Sequence, residues 1–141
     1  MNNNPAISLI MILTVFLLLS SCEKEKPLSE AIIGKWEVIS MNQITFENNV
    51  KKAEIILYFG SGEMRYHFIE GGSGIFYDED DDYLFSWTLT GSQLTLSNLY
   101  NEDLVVDATV DGDLLIWTYK ETDPQDSKKS YEFIITSKKI K

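Results

Sequence analysis

From Gly34 onward the chain alternates apolar and polar residues with period two, and turn residues recur at short intervals. This is the pattern of half-buried antiparallel strands. Three hairpins can be read in register. One turns at Asp111-Gly112, a favoured two-residue hairpin sequence. Pairing Val110 with Asp113 sets Ala108 opposite Leu115, Val106 opposite Trp117 and Leu104 opposite Tyr119, all on one face. Asp107, Thr109, Ile116 and Thr118 then share the other face, as directly paired residues must. A second hairpin turns at Gly91-Ser92, pairing Thr90 with Gln93, Leu89 with Leu94 and Trp87 with Leu96, with Phe85 on the same face. A third turns through Gly60 to Glu63, pairing Phe59 with Met64, Leu57 with Tyr66 and Ile55 with Phe68, and leaving Glu63, Arg65 and His67 to solvent.

Lys35 to Met41 and Tyr131 to Ile140 add two strands, and a segment centred on Phe46 adds another. About eight consecutive strands result, with longer connections over Asn42–Lys52, Glu70–Asp82 and Glu121–Ser130. Closing such a meander removes its exposed edges, so the expected fold is all-β: an antiparallel up-and-down barrel. Ahead of it, Ser29–Ile33 fits one helical turn, with Ser29 as N-cap and Gly34 as terminator. The expected inward set is Trp36, Val38, Leu57, Phe59, Met64, Tyr66, Phe68, Phe85, Trp87, Leu89, Leu94, Leu96, Leu104, Val106, Leu115, Trp117, Tyr119, Phe133 and Ile135. Barrels of this size are either filled by side chains or hold one small ligand. If a cavity is present, Tyr66, Phe85, Trp87, Trp117 and Tyr119 line it, with the Tyr66 and Tyr119 hydroxyls as polar handles.

The first 21 residues carry no Asp, Glu, Lys or Arg, and an apolar stretch runs from Ile7 to Leu19, broken only by Ser8 and Thr14. As a helix it is about 20 Å long, too short for a bilayer core that needs ~20 apolar residues. It fits the ~7–15-residue core of an export signal. Leu19-Ser20-Ser21-Cys22 follows and resembles the bacterial lipobox, in which an aliphatic residue and two small residues precede the cysteine. The resemblance implies cleavage before Cys22 and three acyl chains on that residue, hence a firm membrane anchor. Cys22 is the only cysteine, so no intramolecular disulfide can form, and lipidation accounts for an odd thiol in an exported chain. The expected organisation is a lipoprotein signal peptide over 1–21, the lipidated cysteine and a polar tether over 22–28, and the barrel domain over 29–141.

Gly34-Lys35-Trp36 opens the first strand and resembles the Gly-x-Trp motif of lipocalins, in which the tryptophan plugs the closed end of the barrel. The Phe59-Gly60-Ser61-Gly62 turn adds to this. With the lipobox, the whole mature chain is similar to lipocalin-like lipoproteins of the Bacteroidota. Typical lipocalins also carry a Thr-Asp-Tyr motif, a C-terminal helix and a late arginine packed on the plug tryptophan. This chain lacks them, and its only arginine is Arg65. The resemblance implies Gly34 and Trp36 as the barrel plug and a small hydrophobic ligand at the cell envelope. The alternative is a filled barrel that contacts another envelope protein or a glycan.

The net charge of −10 lies entirely in the mature part, which removes an electrostatic route to nucleic acid and leaves membrane attachment to the anchor. His67 is the only histidine and falls on the polar face beside Arg65, so no catalytic triad is expected around it and a His-rich zinc site lacks its second imidazole. Asp78, Asp80 and Asp82 alternate as calcium ligands do, but the sixth position of that run is Tyr83, where an EF-hand-type loop needs glycine. The expectation is no enzyme, no cofactor and no metal. After the cysteine, Glu23-Lys24-Glu25-Lys26 partly resembles the surface-export signal of such lipoproteins, and Glu23 is not the aspartate that favours inner-membrane retention. An outer-membrane location follows as the expectation, with the leaflet open. Cys22→Ala should abolish metabolic lipid labelling and leave an uncleaved or soluble form; unchanged labelling and membrane fractionation contradict the anchor.

Overall fold

The computed structural model describes residues 26–141; the expected signal peptide, Cys22 and most of the expected tether lie outside them. A short helix, α1 (Leu28–Ala31), precedes nine strands: β1 (Gly34–Glu47), β2 (Val50–Tyr58), β3 (Met64–Ile69), β4 (Ser73–Asp78), β5 (Asp81–Thr90), β6 (Gln93–Leu99), β7 (Glu102–Asp111), β8 (Leu114–Thr122) and β9 (Lys129–Ile140). All pairings are antiparallel, and β9 returns to β1 from Lys35–Ile140 to Glu47–Lys129. β2 and β3 lie along the same edge of β1, β2 on its second half and β3 on its first. They are two halves of one interrupted strand, so the nine segments close an eight-stranded up-and-down barrel of lipocalin-like form.

The third hairpin is where the expected register fails. β2 and β3 do not pair with each other. Asn48 and Asn49 both take positive φ (52° and 63°), the two-residue type I′ geometry that asparagine tolerates. The chain therefore reverses directly after Glu47, inside the expected Asn42–Lys52 connection. Met41 pairs with Leu57 and Gln43 with Ile55, so Leu57 and Ile55 are exposed instead of lying inside opposite Tyr66 and Phe68. The 59–63 segment is a break between collinear strands. It is held to β1 by the Gly62 N–H and Ser61 hydroxyl, which donate to Glu37 Oε1 at 2.6 and 3.0 Å. The Phe46-centred strand is the upper half of β1. The expected Glu70–Asp82 connection contains β4, whose signal is hidden by Gly71, Gly72 and Gly74 on one side and by acids on the other.

The Gly91-Ser92 hairpin has the expected register throughout. The Asp111-Gly112 hairpin is displaced by two: Val110 pairs with Leu115 and Ala108 with Trp117. Of the three turn residues only Gly112 has positive φ, at 59°. That places the turn at Gly112-Asp113, with glycine first as in type II′. A shift of two keeps every side chain on its face, and Val106, Ala108, Leu115 and Trp117 remain buried.

The barrel is closed at the end where β1 begins. α1 starts one residue before the expected turn. The Pro27 carbonyl, not a Ser29 side chain, receives its first amides, from Glu30 and Ala31 at 2.9 and 3.0 Å. Ile32 and Trp36 are fully buried beneath it, and Trp36 Nε1 donates to the Ile32 carbonyl at 2.6 Å. Lys139 crosses over the plug with its Nζ 4.9 Å from the Trp36 ring centroid, a cation–π contact, and donates to the Ala31 carbonyl at 3.0 Å. Gly34 makes room for this crossing: its φ is +127°, and a Cβ there would sit 3.1 Å from Lys139 Cε. A lysine thus stands where the resemblance implied an arginine.

Aromatic rings fill the lumen above the plug. Tyr66 lies 4.5 Å from Phe76 and 4.6 Å from Trp117, the latter edge-on. Phe68 meets Phe85 and Trp87 edge-on at 5.5 and 5.8 Å. Such tilted contacts suit the ring quadrupoles. Gly74 has no side chain because the Phe85 ring occupies that space; a Cβ would approach it to 2.2 Å. Trp36→Ala should lower the unfolding free energy by about 3–5 kcal/mol, as for other buried aromatic truncations, and Lys139→Ala by about 1 kcal/mol. Denaturant titration checks both; a loss below about 1 kcal/mol for Trp36→Ala contradicts the plug.

Candidate binding site at the barrel mouth

The end opposite the plug is built unevenly. β7 and β8 separate after Asp107–Thr118, yet β8 stays with β9 as far as Thr122–Ser130. β9 and β2 continue on either edge of β1 to its last residue, Glu47. β8, β9, β1 and β2 therefore run on as a four-stranded leaf beyond the closed part of the barrel. Registers define its lumen-side face. Trp117, inside the barrel, pairs with Ile135; Ile135 pairs with Met41, and Met41 with Leu57. One step farther along, Tyr119, Phe133, Gln43 and Ile55 form the next row. Paired residues share a face, so this side of the leaf is mostly apolar. Ile55 and Leu57 are 56% and 46% exposed.

Across the mouth stands a cluster of tyrosines. Tyr100 and Asn101 form a two-residue turn with φ of 53° and 64°, an uncommon state for a bulky residue. The turn carries the Tyr100 ring to 4.6 Å from Tyr83 and 5.5 Å from Phe76. Its hydroxyl donates to Asp78 Oδ2 at 3.0 Å. Burial, then this bond to Asp78, push the Tyr100 pKa up. Tyr66 lies beneath: burial raises its pKa, and Tyr100, Tyr119 and Asp78 are close enough to add to the shift. Tyr66, Tyr83, Tyr100 and Tyr119 all keep their protons at neutral pH.

The five expected cavity residues divide accordingly. Phe85 and Trp87 pack low in the barrel, and Trp87 Nε1 donates to the Ser73 and Ile69 carbonyls at 2.9 and 3.2 Å. Tyr66 and Trp117 form the floor of the mouth, both buried. Tyr119 alone is half-exposed on the leaf, stacked on Phe133 at 4.8 Å. Met41, Ile55, Tyr100 and Phe133 belong to the mouth as well. Only Phe133 was in the expected inward set with that placement, and only the apolar run Ile55–Tyr58 could have pointed to the rest. Two buried polar atoms in the lumen wall, Trp117 Nε1 and Ser137 Oγ, have no hydrogen-bond partner among the described residues. Two open depressions, of about 810 and 410 Å³, lie outside the lumen, beside α1 and beside the 122–128 loop.

The chain matches no known protein family, no curated protein and no solved structure. The functional reading therefore rests on its own geometry. The acidic run proves to be a tight hairpin turn, with Asp78 paired to Asp81 across Glu79-Asp80. Among the described residues no group of three or more His, Cys, Asp and Glu side chains is arranged to hold a metal ion. His67 sits on the polar face of β3, between Lys35 and Ile75.

The loop after β8 is organised by one carboxylate. Asp123 Oδ1 accepts the Gln125 and Asp126 amides at 2.8 and 3.2 Å, and Oδ2 accepts the Tyr131 hydroxyl at 2.9 Å. These bonds hold its carboxyl below the usual aspartate range. A folded value below the unfolded one means that the stabilisation is complete above the ordinary aspartate range and fades as pH falls through the folded value. Asp123→Ala should therefore lower Tm at neutral pH, and the gap from the wild type should close in acid. A gap independent of pH contradicts this role.

Proposed function

We propose that this is a non-enzymatic, lipid-anchored binding protein of the cell envelope, held in the outer membrane through Cys22, that takes a small hydrophobic molecule at the barrel mouth. One observation carries the reading: on the lumen-side face of the leaf, above a floor of packed aromatics, Ile55 and Leu57 are exposed and Met41, Tyr119 and Phe133 half-buried among the described residues. Exposed contiguous apolar surface on a small domain marks a place of contact. The nearby hydroxyls of Tyr119 and Tyr100 give the few polar contacts that orient a mostly apolar ligand. The lipobox and the Gly34–Trp36 plug support the anchor and the lipocalin-like character.

The packed lumen favours a second reading, in which the filled barrel contacts another envelope protein or a glycan. A bound molecule separates the two. Native mass spectrometry of the protein purified from its own cells should show a co-purifying apolar species. An apolar fluorescent probe should bind the wild type, and Leu57→Glu should weaken it about tenfold, the effect of losing roughly 1.4 kcal/mol. No co-purifying species, together with probe binding unaffected by Leu57→Glu, contradicts the ligand reading.

A further inference from the structure

The free edge of β2 is the feature that neither the plug nor the ligand reading accounts for. β2 is the terminal strand in the sheet order and, among the described residues, pairs along one side only, with β1. It is exposed over its whole length, from Val50 to Tyr58. Five of the eight large exposed hydrophobics among the described residues lie on it: Val50, Ile55, Ile56, Leu57 and Tyr58. Ile55 and Leu57 face the lumen side, while Ile56 and Tyr58 face outward, so both faces are apolar at this end. That composition belongs to strands covered on both sides. Folded proteins usually blunt a free edge with charge, proline or a bulge. Here Lys51, Lys52 and the bulge between Thr45 and Phe46 protect only the hairpin tip, and the Ile55–Tyr58 half is left bare.

Charge indicates the occupant. The chain as a whole carries −10, so two copies repel over most of their surface. The hairpin Glu47–Tyr58 carries none of that excess: Glu47 and Glu54 balance Lys51 and Lys52, and its net charge is zero. Two copies approaching edge to edge at β2 therefore meet at neutral segments. A two-fold axis at Ile56 sets Ile55 of each strand opposite Leu57 of the other, on one face, and brings each lysine pair toward the other copy's 59–63 break, where Glu63 lies. Isologous two-fold pairing of this kind is the commonest oligomer geometry.

We propose that the protein forms a two-fold dimer by antiparallel pairing of the β2 edges, joining the two leaves into one sheet. Strand pairing and the five apolar side chains of each copy together cover on the order of 1,000 Å², where specific interfaces begin. The proposal needs no bound ligand, because it rests on the backbone edge of β2, although Ile55 and Leu57 also belong to the lumen-side face.

Cysteine cross-linking tests it in the full-length lipoprotein in its own membranes. Cys22 is the only native cysteine, so the wild type sets the baseline. Ile56→Cys places a thiol next to the proposed axis, and mild oxidation should convert most of the chain to a species of twice the mass. Adding Ile55→Lys should reduce that yield about tenfold. Val105→Cys, at a similarly exposed site on β7, should give no cross-linked species. Sedimentation of the wild type in mild detergent should give the dimer mass without any substitution. A monomer in sedimentation, equal cross-linking at positions 56 and 105, or cross-linking of position 56 to a different protein would each overturn the proposal.

Discussion

The barrel closes because β1 serves partners on both edges. Its full length holds β9, while its other edge is divided between β3 near the plug and β2 near the mouth. Dividing one edge requires the strand beyond the Asn48-Asn49 turn to break, and the break at 59–63 is held by Glu37 from β1 itself. A register shift between Val38 and Ser40 falls beside the break, where the Phe59 N–H donates to the Ile39 carbonyl at 3.2 Å. Bulges bend a strand and raise its twist, so this is where the closed barrel gives way to the leaf. The same division that closes the barrel leaves β2 with a free edge and uncovered faces.

The closed end and the open end follow different physical rules. At the plug, a buried indole N–H and a buried apolar ring are both satisfied, one by the Ile32 carbonyl and the other by packing and the Lys139 ammonium. At the mouth, apolar side chains on the leaf have no cover, and Tyr100 occupies an uncommon backbone state. Strain of that kind persists only where surrounding contacts over-determine it, and here Phe76, Tyr83 and Asp78 supply them. Rigidity collects at one end and contact potential at the other.

Period-two patterning gave the right faces at the hairpins that turn at Gly91 and Gly112, though not at Gly71-Gly72, which it left inside a connection. Trp87 opposite Leu96 is the clear example. At Gly112 the turn was placed one residue early, yet the inside and outside faces survived because the displacement was even. The pattern failed at β2 because facing alone does not identify a partner: the apolar run Ile55–Tyr58 matches β3 as well as β1, and the deciding turn at Asn48-Asn49 has no glycine. Lys139 was missed because only an arginine was sought over the plug tryptophan, and the chain has none there. Tyr100 was missed because a tyrosine in a left-handed turn leaves no periodic trace. The lumen aromatics were legible as an inward set, but whether they filled the barrel or lined a cavity depended on ring-to-ring distances that no spacing encodes.

A filled lumen beneath an apolar leaf is the central claim, and intermolecular nuclear Overhauser effects test it directly. With an apolar probe bound to methyl-labelled protein, contacts should run to Met41, Ile55 and Leu57 on the leaf and not to Leu94, Leu96 and Leu115, which are fully buried in the lumen wall. Contacts confined to the lumen methyls, with the leaf methyls silent, would contradict it.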